Sequence, residues 1–399
     1  MVVHAATMRL SLEPRAAVAL RRGHPWIWRD ALRLPKGSKQ PETGDVVSLV
    51  EASSGEVLGS GLYDASSPIA VRVHVRGLAK LDAGRIAEAM QRAFARRVAA
   101  FADGATDAYR LCNGEGDRVP GFVVDRYGAI AVLRTDGEAA SAWVAELAPR
   151  LKRALTQHGV ETLLLRVQAG ANERKVETLY GPEPPERVSV REHGMLLEVD
   201  VLHGQKTGAF LDQRENRRRV RELSRGRRRV LNLYSYTGGF SVAAALGGAA
   251  EVTSVDVAGK AHASAQRSFR LNGLDASAHR FVTADAPTYL AELAKRKERF
   301  DLVISDPPSF APNERSVQRA LAAYAKLHAA CAAVLAEGGS FCAASCSSHV
   351  GLEAFLDTLD DAALGRSDLS LLGAYGPPGD HPSLPGFPEG RYLKMAILG

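Results

Sequence analysis

Two short runs hold the residues best suited to chemistry. Asp306-Pro307-Pro308-Ser309 follows the apolar stretch Phe300-Asp301-Leu302-Val303-Ile304-Ser305, and Cys346 follows a second such stretch, Phe341-Cys342-Ala343-Ala344-Ser345. Each proline fixes its own φ and removes a backbone donor, and the residue before each is held extended. Asp306 and the neighbouring carbonyls are therefore aimed outward, which suits a flat, hydrogen-bonding ligand such as a nucleobase. The same Asp-Pro pair also opens ordinary strand-to-helix loops. Cys346 offers a thiol across the same crevice, and one reaction needs this combination. Cytosine C5 is too weak a nucleophile to attack a sulfonium methyl. Thiolate addition at C6 makes C5 an enamine-like carbanion that can attack, and loss of the C5 proton and the thiol restores the ring. Asp306 would stabilise charge at ring N3 as the adduct forms. A buried cysteine otherwise serves as a small hydrophobe, which is how Cys331 and Cys342, set inside apolar runs, are read.

The elements that would position these residues begin near residue 205, where strands and Ala/Leu-rich helices alternate. Candidate strands are Arg229–Leu233, Glu251–Val255, His279–Val282, Leu302–Ser305 and Ser340–Ser345, with a late strand, Tyr392–Leu398, at or near an edge. That alternation predicts a doubly wound, mostly parallel sheet with its ligands at the strands' carboxyl ends. The first strand runs into Tyr234-Ser235-Tyr236-Thr237-Gly238-Gly239. Its glycines let backbone approach a ligand, but the spacing is neither the dinucleotide fingerprint nor a P-loop. Asp256 ends the second strand, where a carboxylate can accept from both ribose hydroxyls. Asp285 follows the third, placed for an adenine amino group, and Asp306 follows the fourth. Three successive strands each closed by Asp point to S-adenosylmethionine, although any one of them could instead cap a helix, Asp285 before Ala286-Pro287 most of all.

At 399 residues the chain is long enough for two or three domains. Residues 1–75 read as short strands and glycine-punctuated turns, a small β-barrel-like domain. Its His24-Pro25-Trp26-Ile27-Trp28 cluster could stack on bases or fill the core. Residues 76–190 read as a middle α+β module, with helices at Ala83–Phe101 and Ala139–His158, ending near Pro182–Pro185; residues 191–399 form the last domain. The net charge of +6 suits an acidic partner, and Arg214 to Arg229 carries nine arginines, an expected footprint for phosphates. None of the four cysteines forms a C-x-x-C pair, so no metal is expected. No apolar run is long enough to span a bilayer and no signal-like segment opens the chain, which predicts a cytoplasmic protein with reduced thiols and no membrane partner.

Together these residues resemble the PUA-domain-containing class I S-adenosylmethionine-dependent 23S rRNA (cytosine-C5) methyltransferases. The likeness spans nearly the whole chain. It rests on His24-Pro25-Trp26, Asn113-Gly114-Glu115-Gly116-Asp117 with Pro120-Gly121, Asp125-Arg126-Tyr127-Gly128, Lys206-Thr207-Gly208-Ala209-Phe210-Leu211-Asp212-Gln213-Arg214 and Ser235–Phe240. It continues through Asp306–Phe310, Ser345-Cys346-Ser347 and the terminal His381-Pro382 and Pro388–Lys394. The resemblance implies an α/β architecture: a C-terminal Rossmann-like doubly wound sheet, an N-terminal PUA-type β-barrel that binds RNA, and a middle α+β domain. It implies Cys346 as nucleophile and Asp306 as its partner at the base. The cofactor would be held by Gln213, Arg214, Tyr234, Ser235, Thr237, Gly238, Gly239, Asp256, Asp285 and Asp306, with the Lys206–Arg214 stretch closing over it. Large-subunit rRNA, unfolded or partly assembled, is the implied partner, and a homodimer is an open possibility. Other RNA 5-methylcytosine enzymes carry a second cysteine after the proline of the fourth turn; here Ser309 stands there, where relatives often have lysine. The rival readings are an RNA N-methyltransferase using the Asp-Pro-Pro turn and a non-catalytic RNA-binding assembly factor.

Overall fold

A computed structural model describes residues 8–34, 37, 39–168 and 174–399. The chain forms two compact units, one of residues 1–188, 200–209 and 379–390, the other of residues 189–199, 210–378 and 391–399. The segments 200–209 and 379–390, expected within a continuous last domain, thus group with the first unit.

The first unit holds two sheets. In the six-stranded one, Trp26–Trp28, Ile69–Arg76, Val57–Tyr63, Val46–Glu51, Met8–Leu12 and Leu32–Arg33 lie side by side in that order. Leu10, Leu12, Ile27, Leu49 and Val71 fill its core. A short helix, Pro14–Arg21, was not anticipated in this β-rich stretch. The second sheet has five strands in the order Arg174–Tyr180, Thr162–Gln168, Ile130–Thr135, Phe122–Tyr127 and Ala108–Asn113. The helices Ala83–Ala100 and Val144–Gln157 bury Phe94, Leu147 and Leu151 in the core beside it.

Several motif residues prove to hold the 379–390 segment. Asn113 Nδ2 donates to the Pro382 carbonyl at 2.8 Å, the Arg110 amide to Asp380 Oδ2 at 3.0 Å and Arg97 to the Asp380 carbonyl at 3.1 Å. A Cβ on Gly116 would lie 1.8 Å from Pro382 O, so only glycine fits there. Thr207 is likewise bound within this unit, with Oγ1 donating to Asp125 Oδ2 at 2.5 Å and sharing a 2.8 Å hydrogen bond with the Tyr127 hydroxyl.

The second unit is built on seven strands: β1 (Arg229–Leu233), β2 (Glu251–Asp256), β3 (Arg280–Thr283), β4 (Phe300–Ser305), β5 (Leu335–Ser345), β6 (Leu371–Tyr375) and β7 (Lys394–Leu398). Their order is β3-β2-β1-β4-β5-β7-β6. β3 to β5 are parallel, and β7 runs antiparallel to both neighbours. The interior strands are almost wholly buried, as an α/β sheet covered on both faces requires. The expected late strand therefore lies inside the edge, and β6, which sequence reasoning missed, is the edge itself. Its longer helices are α1 (Arg214–Leu223), α2 (Gly239–Leu246), α3 (Gly259–Leu271), α4 (Ala286–Lys295) and α5 (Val317–Ala333).

Candidate active site

The strand order reverses between β1 and β4, where such sheets bind ligands. Leu233 pairs with both Val255 and Ser305, so Tyr234, Asp256 and Asp306 are neighbours just past the carboxyl edge. The loop after β1 is tightly wound: Tyr234 and Tyr236 have φ of 56° and 45°, and Gly238 has 78°. Non-glycine residues in this region carry strain that persists where the surroundings impose it, commonly at functional sites. Asp256 supplies part of that constraint. Its Oδ2 accepts from the Tyr236 amide and its Oδ1 from the Ala258 amide, both at 2.8 Å. Each oxygen keeps a second lone pair for an outside donor. Gly238 leads into α2, and a Cβ there would come 2.6 Å from that of Ala265 on α3. A Gly238→Ala variant therefore combines a left-handed penalty of about 1–2 kcal/mol with a clash, and calorimetry should find its melting temperature several degrees lower.

Ser235 Oγ and Asn232 Oδ1 are buried without a hydrogen-bond partner, and Thr237 and Gly239 beside them are half-buried. Asp285 is exposed and caps α4, its Oδ2 accepting from the Thr288 amide at 3.2 Å and hydroxyl at 2.9 Å. The capping role left open by the sequence is the one this carboxylate performs here.

Asp306 is half-buried and faces the start of α1. Gln213 Nε2 donates to Asp306 Oδ2 at 3.0 Å, while Gln213 Oε1 accepts from Asn216 Nδ2 at 2.6 Å, which fixes the amide's orientation. Burial, then repulsion from Asp212, raises the Asp306 carboxyl to about 7, against the opposing pull of Arg217 and the Gln213 amide. Asp212 accepts from the Tyr392 hydroxyl at 2.6 Å. Arg217 grips Glu192 with two bonds of 2.7 and 2.6 Å, a forked geometry that also fixes orientation. Its stem covers Gly239, whose added Cβ would lie 3.0 Å from Arg217 Cδ. Arg214 is buried, with Nε 3.4 Å from Glu215 Oε1.

Ser305 pairs with Ala343, so β5 runs two residues further than β4 before Cys346 begins its loop. Cys346 is half-buried, whereas Cys112, Cys331 and Cys342 are fully buried; burial pushes the thiols of Cys331 and Cys342 up to about 12. A chain of hydroxyls joins the two turns. Ser309 Oγ meets Ser347 Oγ at 3.0 Å, Ser347 Oγ meets the Tyr324 hydroxyl at 3.0 Å, and that hydroxyl meets Ser345 Oγ at 2.9 Å. Ser309 thus ties the Asp306 turn to the Cys346 turn. Lys394 stands opposite Ser345 in the β5–β7 pair, and its Nζ donates to the Ser347 and Val350 carbonyls, both at 2.7 Å. Burial lowers its ammonium to about 8, while the Cys346 sulfur acts to raise it. Sequence reasoning assigned no role to Lys394, Asp212 or Tyr324. Lys394 and Asp212 lie inside the motifs Pro388–Lys394 and Lys206–Arg214, which was the available signal for those two.

The Arg214–Arg229 cluster is only partly free for an outside anion, because four of its nine arginines, Arg214, Arg217, Arg218 and Arg229, face carboxylates within the unit. Besides Arg217, Arg218 pairs with Glu215 and Glu222, and Arg229 with Glu298 at 2.6 Å. Arg219 lies 3.9 Å over the Tyr375 ring, and Arg227 bonds Gly338 O and Ser340 Oγ. Among the described residues no group of three His, Cys, Asp or Glu could hold a metal, and no helix is long and apolar enough to cross a membrane.

The residues of the β1 loop fit S-adenosylmethionine: glycines clear the approach, Asp256 keeps spare acceptor capacity, and the Ser235 hydroxyl lacks a protein partner. Strand order, glycine loop and acidic β2 end define a class I S-adenosylmethionine-dependent methyltransferase fold. The S-adenosylmethionine-dependent methyltransferase family profile matches residues 153–383, and a PUA-like domain profile matches residues 10–76. A Deinococcus radiodurans protein named ribosomal RNA large subunit methyltransferase is 39% identical, covering 99% of this chain and 98% of its own. A Shigella boydii protein named ribosomal RNA large subunit methyltransferase I is 33% identical over 97% of this chain and 98% of its own. A solved structure described as a methyltransferase complexed with SAH aligns with a TM-score of 0.86 and 25% identity, covering 98% of this chain and all of that one. The chain belongs to the S-adenosylmethionine-dependent methyltransferase family that includes these ribosomal RNA large subunit methyltransferases.

Proposed function

We propose that the protein methylates C5 of a cytosine in large-subunit ribosomal RNA through a covalent bond between Cys346 and ring C6. The observation that carries this reading is the pairing of Asp306 and Cys346 at the ends of adjacent strands, their turns joined through Ser309 and Ser347. The names of the relatives support RNA of the large subunit as substrate. S-adenosylmethionine supplies an electrophilic methyl group on its sulfonium. Asp256 would accept from its ribose hydroxyls, the Tyr234–Gly239 backbone and the Ser235 hydroxyl would help bind it, and Gln213 and Arg214 would hold its amino-acid end; Asp285 has one oxygen committed to the cap of α4.

The chemistry at the base belongs to the chain's own side chains. The Cys346 thiolate forms a bond to C6 while the C5–C6 electron pair shifts toward C5. Asp306, protonated in part at neutral pH, gives a hydrogen bond or proton to N3. C5 then takes the methyl. Water takes the C5 proton, whose electron pair returns to the ring as the C6–S bond breaks and the thiolate is regenerated, and a proton given to N3 goes back to Asp306. The target base must leave any stack to be reached, so a loop or an exposed segment of incompletely assembled RNA is the substrate.

RNA labelled with tritium at cytosine C5 tests the reading. Methylation at C5 releases tritium to water in step with methyl incorporation, whereas an N-methyltransferase would incorporate methyl and retain the label. Lys394 gives a second check. Its cation favours the thiolate of its neighbour, so Lys394→Met should shift the pH profile of Cys346 alkylation by iodoacetamide to higher pH. Lys394→Arg should restore most of it, and the three buried cysteines make the readout clean. An unmoved profile would leave Lys394 with only its structural bonds.

A further inference from the structure

The first unit carries a basic groove that the cofactor site does not account for. A concavity of about 450 Å³ lies between the Ile69–Arg76 strand and the Ala83–Ala100 helix, and Arg76, Arg85, Arg92, Arg96 and Arg118 line it. All five are exposed. Arg85, Arg92 and Arg96 recur at helical spacing, so they form one stripe on the helix, with Ala89 between them leaving the floor open. Their intervals of seven and four residues correspond to about 10 and 6 Å along the axis.

Little on the protein neutralises this charge. Arg76 rests on the Arg21 carbonyl, and Arg85 Nε donates to the Lys80 carbonyl at 2.9 Å, contacts that leave each positive charge uncompensated. Arg96 shares the single Asp117 carboxylate with Arg97, at 2.7 and 2.8 Å. Arg118 is held at a φ of 60° as the cap of the Gly114–Asp117 turn. Non-glycine residues adopt this conformation at a cost, and here it is retained at a residue lining the groove.

We propose that this groove binds the sugar-phosphate backbone of the RNA substrate, with Arg85, Arg92 and Arg118 as its principal phosphate contacts. Arginine forks suit phosphate oxygens, and contacts of this kind fix register without reading bases. The inference rests on RNA being the substrate, and it gives the first unit named phosphate contacts on the Ala83–Ala100 helix and at Arg118.

The test compares the wild-type protein with the triple variant Arg85→Gln/Arg92→Gln/Arg118→Gln, using protein-free bacterial 23S rRNA labelled with tritium at cytosine C5. The variant should bind this RNA with a log K against log salt slope shallower by roughly two to three. Its KM for RNA should rise at least about tenfold while kcat, S-adenosylmethionine binding and melting temperature stay at wild-type values. An unchanged slope and KM in the variant would overturn the groove assignment. Wild-type protein that releases no tritium would instead sink the cytosine-C5 reading, so the two failures are separable.

Discussion

Cys346→Ala protein is expected to bind S-adenosylmethionine as the wild type does while its rate of tritium release from C5-labelled RNA falls by a factor on the order of 10⁴ or more. Removing a nucleophile that forms a covalent intermediate eliminates the low-barrier route and leaves only positioning and electrostatics, which is why such losses are so large. Alanine should leave the fold intact, because Cys346 is half-buried at the end of β5 and the neighbouring turn is held by Ser347, Tyr324 and Lys394. RNA containing 5-fluorocytosine adds a direct readout. Fluorine cannot leave C5 as a proton does, so wild-type protein should be trapped as a covalent adduct, and the alanine variant should not. Turnover surviving in the variant would remove the covalent mechanism and favour transfer to an exocyclic nitrogen.

Asp306→Asn is expected to lower kcat by about 10²- to 10⁴-fold, the range for loss of a positioned acid. The same substitution should show a stability effect that depends on pH. In the folded protein this carboxyl lies near 7, above the ordinary carboxylate range. Its contribution to stability is therefore full below that ordinary range and is lost as pH rises through about 7. At pH 8 the wild type carries an ionised group that burial and Asp212 disfavour, and asparagine removes it while still accepting from Gln213. The variant's melting temperature should exceed the wild type's at pH 8, and the gap should close toward pH 5. A gap equal at both pH values would mean that Asp306 is not raised. Such a gain in stability at the expense of turnover is typical of groups kept for chemistry.

The sheet was legible where burial dictates composition. β1, β2, β4 and β5 read as apolar runs broken by glycine or aspartate because both faces of a parallel sheet are covered. β6 was not legible, because Leu371 and Leu372 are 51% and 57% exposed and Gly373 interrupts the pattern. Asp306 and Cys346 could be placed from strand ends alone. Lys394 could not be joined to Cys346, since that depends on the antiparallel register of β5 with β7, strands 49 positions apart at Ser345 and Lys394. The pairing of part of the arginine cluster was not legible for a related reason. Glu192, Glu251 and Glu298, which neutralise Arg217 and Arg229, come from distant elements whose approach no local spacing encodes. The motif around Asn113 and Asp117 was recognisable but mute, because its partner is a carbonyl at Pro382.

The excursion of residues 379–390 into the first unit bears on how the polypeptide matures during translation. Domains usually settle one after another as they leave the ribosome. Here Asn113, Arg97 and Arg110 wait for Pro382 and Asp380, which are made more than 260 residues later. The amino-terminal half therefore stays incomplete until residues 380–382 have been made, and a ribosome stalled before residue 379 would carry a nascent protein whose early half is more open to protease than one in which that segment has docked.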